Sequence, residues 1–105
     1  MSVKQISVFI ENKTGKLAEA TRFIADHNIN MKALSIADTQ DFGILRMIVN
    51  DEEKAEKVLS ENGYLIKVID VVGVKIGDTP GKLSAALRVL NESNINMEYL
   101  YAFMA

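Results

Sequence analysis

Two short stretches of the chain combine a glycine, a lysine and an oxygen-bearing side chain at the same spacing: "NKTGKL" from Asn12 and "DTPGKL" from Asp78. Glycine suits a tight turn and lets another molecule approach the backbone closely. The residues after each glycine open an apolar-periodic segment, so the turn leads into a helix whose first N–H groups have no partner within it and favour an anion. Lys16 and Lys82 add positive charge in that first turn, where lysine is unfavourable for the helix itself. Asn12 and Asp78 stand ready to accept hydrogen bonds from an ammonium group. An anion site beside an ammonium acceptor is what a zwitterionic amino acid requires. A strand-to-helix turn with glycine and a polar cap is also ordinary architecture, so the loops have a purely structural reading as well.

Other chemistry is poorly represented. "DFG" at Asp41–Gly43 has none of the companion motifs of a kinase and reads as a turn entering a strand. "GDTPGKL" is one residue short of a P-loop from Gly77, with Leu83 where Ser or Thr is needed. His27, the single histidine, falls at a helix C-terminus and has no second nitrogen or sulfur ligand. Asp51, Glu52 and Glu53 read as a solvated helix start. No nucleophile stands at readable spacing from a base, so no catalytic residue, metal ligand or cofactor is expected. Tyr99, Tyr101 and Phe103 share one strand face, for packing or for stacking an aromatic ligand.

The elements that position these loops follow from periodicity. Val3–Ile10 alternates as a strand, with Ile6, Val8 and Ile10 on one side and Phe9 on the other. From Lys16, the apolar residues Leu17, Ala20, Phe23 and Ile24 recur at helical spacing, and "HNIN" ends that helix. Met31–Ala37 is a second strand, "DTQD" a turn and "FGILRMIV" a third strand. In "NDEEK" Asn50 is the expected cap, with Glu53 placed for a capping box; Ala55, Val58 and Leu59 form the buried face, and Gly63 stops the helix. Tyr64–Ile69 is the fourth strand.

Strand, helix, strand, strand, helix, strand is the ferredoxin-like or split βαβ order, α+β, complete by about residue 70. The chain then begins again: "VVGVKI" as a strand, "GDTPG" as a loop, Lys82 to about Asn91 as a helix with Leu83, Ala86, Leu87 and Leu90 on one side, and "INMEYLYAFMA" as a strand. Aligning Gly15 with Gly81 also matches Lys16, Leu17, Ala20, Arg22, Asn28–Met31 and Leu34 with Lys82, Leu83, Ala86, Arg88, Asn94–Met97 and Leu100. We read a βαββαβ unit over 1–70 and the βαβ first half of a second over 71–105. In this fold the third strand lies between the first two, so the half-unit is expected to leave a gap of unpaired backbone groups. Either a longer protein or a partner chain fills it.

The element order, the "TGKL" and "PGKL" turns and the "NINM" exits into "KALSIADT" resemble the ACT domain, and more closely small stand-alone bacterial proteins built of tandem ACT domains. The similarity spans nearly the whole chain. It implies a non-catalytic regulatory domain, working as a homodimer, that binds a free amino acid as effector at an interface between units. By position, the resemblance assigns the ligand to Asn12, Lys13, Thr14, Gly15, Lys16 and Leu17 in the first loop and to Asp78, Thr79, Pro80, Gly81, Lys82 and Leu83 in the second. Facing strands would supply Ser35, Ile36, Ala37 and Asp38, and Tyr101, Ala102 and Phe103. Thr14 replaces the proline usual before the glycine, which predicts a looser or unoccupied first loop, and Asp78 and Pro80 make the second the more ligand-ready. The family's paired form runs on past residue 105, which bears on any site needing those strands.

With 49% apolar and 25% charged residues the composition is that of a soluble globular protein. A net charge of −2 offers no basic surface for nucleic acid or anionic lipid. The strands "ISVFI" and "FGILRMIV" lack the basic and aromatic signature of RNA-binding sheets of this class. There is no cysteine, the amino-terminal stretch lacks the apolar core of a signal peptide, and no run would span a bilayer. A cytoplasmic location is expected. A protein-interaction module without a small ligand is the alternative function.

Overall fold

Alternating side chains place Ile6, Val8 and Ile10 of the first strand on one face and Gln5, Ser7 and Phe9 on the other, and the rest of the first unit is arranged around that division. The computed structural model describes residues 2–11, 13–38, 42–77, 79–95, 97 and 99–102. The elements are β1 (Ser2–Glu11), α1 (Lys16–Asp26), β2 (Met31–Asp38), β3 (Phe42–Val49), α2 (Glu52–Glu61), β4 (Leu65–Val72) and α3 (Lys82–Glu92). The four strands form one antiparallel sheet in the order β2-β3-β1-β4, so β3 does lie between the first two strands. This is the expected α+β, ferredoxin-like fold.

The core fills the space between α1, α2 and one sheet face. Ile6 and Val8 of β1, Leu45 and Met47 of β3, Ala20 and Ile24 of α1, and Ala55 and Leu59 of α2 are all essentially inaccessible. These are the apolar positions that the 3.6- and 2-residue periods select.

Each helix ends in the same way. The N–H of Asn28 bonds to the Ala25 carbonyl and that of Ile29 to the Ile24 carbonyl; Asn94 and Ile95 repeat this on Asn91 and Leu90, and Gly63 and Tyr64 on Ser60 and Leu59. This double closure is the Schellman motif, which needs a left-handed residue after the cap. Asn28 and Asn94 supply it at φ 62° and 61°. The repeated "NIN" is therefore a helix stop before it is anything else.

Three expectations are corrected. Asp51, not Asn50, caps α2, accepting from the Lys54 N–H at 3.1 Å. Asn50 is engaged elsewhere, exchanging bonds with the Asn30 backbone across the ends of β2 and β3. The stretch "VVGVKI" is not a separate strand: Val71 and Val72 complete β4, and residues 73–77 form no strand. The last pair of the β1–β4 ladder among the described residues is Ser2–Val72. Likewise Ile95, Met97 and Tyr99–Ala102 form no strand, because no described strand lies beside them. The turn expected at "DTQD", the Asp41 of "DFG", and the end of "INMEYLYAFMA" from Phe103 fall outside the described residues.

No residue of α3 is buried; the stripe that α1 sets into the core has no counterpart to cover it here, and Leu83 is 48% exposed. The half-unit is tied to the first unit from the other side. Gln5, wholly buried on the sheet face away from α1 and α2, accepts from the Tyr101 hydroxyl at 2.8 Å, and its Nε2 donates to the Tyr99 hydroxyl at 3.0 Å and to Ser7 Oγ at 3.2 Å. The two tyrosine rings stack 3° from parallel, and the Arg46 guanidinium lies 3.9 Å over the Tyr99 ring. Burial, then the neighbouring Tyr99, raises the Tyr101 hydroxyl's pKa above its ordinary value, against a smaller opposing pull from Arg46.

Candidate functional site

Both repeated loops close as the same turn. The Lys16 N–H bonds to the Lys13 carbonyl at 3.2 Å and the Lys82 N–H to the Thr79 carbonyl at 3.3 Å. The third residue is Gly15 at φ 86°, ψ −12° or Gly81 at φ 91°, ψ −6°. With a negative φ at Thr14 and Pro80, these are type II turns, whose third position demands the left-handed region that glycine enters freely and whose second position favours proline. In both turns glycine carries the unusual torsion, and threonine adopts the second position without a positive φ, so the two loops share one turn geometry.

Neither helix start receives a side-chain cap, and the first intrahelical bonds are Glu19 N–H to Gly15 O and Ala85 N–H to Gly81 O. The N–H groups of Leu17 and Ala18, and of Leu83 and Ser84, have no partner among the described residues. They are the donors that an anion would meet.

In the first unit the turn borders a cleft of about 200 Å³ between the start of α1, the end of β1 and strands β2 and β3. Its lining includes Ile10, Leu17, Ile36 and Leu45, with Glu11 and Lys13 among the lining residues as well. Leu17 and Ile36 are 37% and 46% exposed, so this wall is open to a visitor. Lys13 Nζ lies 3.0 Å from Glu11 Oε2, and that hydrogen-bonded ion pair holds the Glu11 carboxyl below its ordinary pKa. The cleft thus offers an apolar floor beside one positive and one negative group.

Of the residues expected from sequence, Lys13, Leu17 and Ile36 meet in this cleft. Thr14, Gly15 and Lys16 form the exposed turn beside it, and Lys16 reaches Glu19 at 3.7 Å. Ser35 and Ala37 alternate away from Ile36 and share the other sheet face with Arg46 and Ile44, their register partners. In the second copy Thr79, Pro80, Gly81, Lys82 and Leu83 are all exposed, while Tyr101 turns its hydroxyl to Gln5 and Ala102 is exposed. Asn12, Asp78 and Phe103 lie outside the described residues, as does the side chain of Asp38. Sequence reasoning missed Glu11, Ile10 and Leu45. The strand's alternation was the available signal, since it aims Ile10 at the helix face as the chain enters the loop.

His27 is used structurally. Its Nδ1–H donates to the Phe23 carbonyl at 2.9 Å and its ring packs on Phe23 with centroids 4.3 Å apart. Among the described residues no group of three or more His, Cys, Asp or Glu side chains is arranged to hold a metal, and no helix is long and apolar enough to cross a membrane.

The whole chain, residues 1–105, matches the family described as an ACT domain pair. Among solved structures, protein BT0572 from Bacteroides thetaiotaomicron is 45% identical over 100% of this chain and 73% of its own, with a TM-score of 0.91. The regulatory subunit of aspartate kinase from Thermus thermophilus, in its ligand-free form, is 19% identical over 94% of this chain and 75% of its own, at a TM-score of 0.62. The aspartokinase alpha and beta subunits give 18% identity over 96% and 79%, at 0.60. The last two likenesses concern the fold alone. No curated protein matches. The repeat, the sheet order, the paired turns and these matches together establish that the chain belongs to the ACT domain pair family.

Proposed function

We propose that this protein is a non-catalytic regulatory sensor that binds a free amino acid at an interface between ACT units, as a cytoplasmic homodimer. The carrying observation is the cleft in which Lys13 and Leu17 of the loop face Ile36 of β2, beside the Glu11–Lys13 ion pair and the uncapped start of α1. An α-carboxylate suits Lys13 and the helix N–H groups; an α-ammonium suits Glu11. Strand β2 forms one edge of the sheet, where a neighbouring unit has room to supply its own Ser35–Asp38 segment. In this reading 1–70 is one ACT unit and 71–105 the first half of a second, whose Asp78–Leu83 loop and Tyr101–Phe103 segment belong to an equivalent site. Binding that alters how units pack is the signal.

A thermal-melt screen against the twenty amino acids tests this. A ligand at 100 times its Kd stabilises by about 2.7 kcal/mol, a shift of roughly 10 °C or more in a domain this small. No shift with any of them at millimolar concentration contradicts the proposal. Gly15→Val and Gly81→Val, each forcing a β-branched residue to positive φ, separate the loops: the variant that loses the shift with its helices intact identifies the loop that binds. Sedimentation that finds only monomer contradicts the dimer.

The second reading is a protein-interaction module without a small ligand. It is favoured by the uncovered apolar residues of the half-unit, Val74, Ile76, Leu83 and Val89, each 43–61% exposed.

A further inference from the structure

The cleft beside the first loop has a two-part character that selects among amino acids. Its floor is apolar, formed by Ile10, Leu17, Ile36 and Leu45, and among the described residues no polar side chain from β2 or α1 lines it. Among the described residues its charged lining groups are Glu11 and Lys13, 3.0 Å apart and more than half exposed. A zwitterionic head group carries the same two charges at similar separation. Turned to oppose them, its carboxylate meets Lys13 and its ammonium meets Glu11, exchanging one exposed ion pair for two contacts. The exchange is easy because an exposed pair contributes little on its own. Once the head group is so placed, the side chain has the apolar floor to occupy. Among the described residues of that floor, a polar or charged side chain would find no partner to replace the water it loses.

Resting on the amino-acid-sensing reading above, we infer that the first-unit cleft selects amino acids with a medium-sized aliphatic side chain, with Glu11 and Lys13 recognising the head group and Leu17 and Ile36 the side chain. Each methylene seated in an apolar pocket changes affinity about tenfold or more. Leucine, isoleucine, valine and methionine should therefore bind at least about tenfold more tightly than alanine, and serine, aspartate and lysine more weakly still.

The test is calorimetric titration of the full chain with leucine, alanine, serine, aspartate and lysine. Isoamylamine and isocaproate, which each keep half of leucine's head group, serve as controls. The inference expects leucine to bind most tightly and both half-ligands to lose at least about tenfold. Ile36→Asp and Leu17→Ser, at partly exposed positions that leave the core intact, should each weaken leucine by a similar factor with an unchanged circular dichroism spectrum. Equal or tighter binding of serine, aspartate or lysine overturns the aliphatic selection and leaves amino-acid sensing standing. Heat from none of the amino acids overturns both. If the apolar floor is instead filled by a second copy, Ile36→Asp will dissociate the protein and no amino acid will bind, which also overturns the inference.

Discussion

Removing the Tyr101 hydroxyl should loosen the half-unit by a calculable amount. Gln5 is fully buried, and Tyr101 is its shortest partner, donating to Oε1 at 2.8 Å. In Tyr101→Phe that oxygen keeps only the Tyr99 hydroxyl, at 3.3 Å. One lost hydrogen bond of this kind costs about 1 kcal/mol, within a range of roughly 0.5–1.5. In a domain of this size that lowers Tm by about 4–8 °C. Gln5→Leu removes the partner of Tyr101, Tyr99 and Ser7 together and should cost about 2–4 kcal/mol at similar side-chain volume. In that background Tyr101→Phe should add almost nothing, so the double-mutant cycle should give a coupling of about 1 kcal/mol. Near-ultraviolet circular dichroism is the assay, because ordered tyrosines report on this cluster as it melts. An unchanged Tm in Tyr101→Phe, or strictly additive effects, would refute the claim that Gln5 holds the second unit against the first.

Two further predictions concern caps and pH. Asp51→Ala should destabilise by about 0.5–2 kcal/mol in urea titration through loss of the α2 cap, and Asn50→Ala should act through the Asn30 link instead, fraying β2 against β3 in amide exchange. At high pH the sign is set by Tyr101, whose folded pKa burial raises above 10.0. The folded state then holds that proton more tightly than the unfolded state. Its contribution is complete below the unfolded pKa and is lost as pH rises through the folded one. Tyr64, raised first by burial and next by Glu19, acts in the same direction. Tyrosinate absorbance should therefore rise later in the folded protein than in urea, and stability should fall across that window; coincident titrations would contradict this.

Much of this molecule could be read from side-chain order. The bounds of β3 and the start of α1 coincide with their expected positions because a central strand and an amphipathic helix carry their partners' imprint in their own periodicity. The turn at Thr14–Gly15 and the stop at Asn28 were legible because single residues there meet a backbone requirement. What could not be read depends on distant neighbours. Residues 73–77 have strand-like composition yet form no strand, since a ladder needs a second chain segment alongside. Asn50 has capping chemistry, but Asn30 engages it and the cap falls to Asp51. Gln5 alternates away from Ile6 and Val8, and the partners that Tyr99 and Tyr101 bring to it on that face come from 94 and 96 residues away. In the candidate site the loop and Ile36 were named in advance, whereas Ile10 and Leu45 were not, because they converge on Ile36 from other strands.

The central claim, that a free amino acid is received beside the first loop, is tested most directly by amide chemical-shift mapping of the full chain during titration with the amino acid that most raises Tm. Saturable shifts concentrated at Glu11, Lys13–Leu17, Ile36 and Gly43–Leu45 are the predicted result. Shifts that cluster elsewhere, or none with any amino acid, would contradict it.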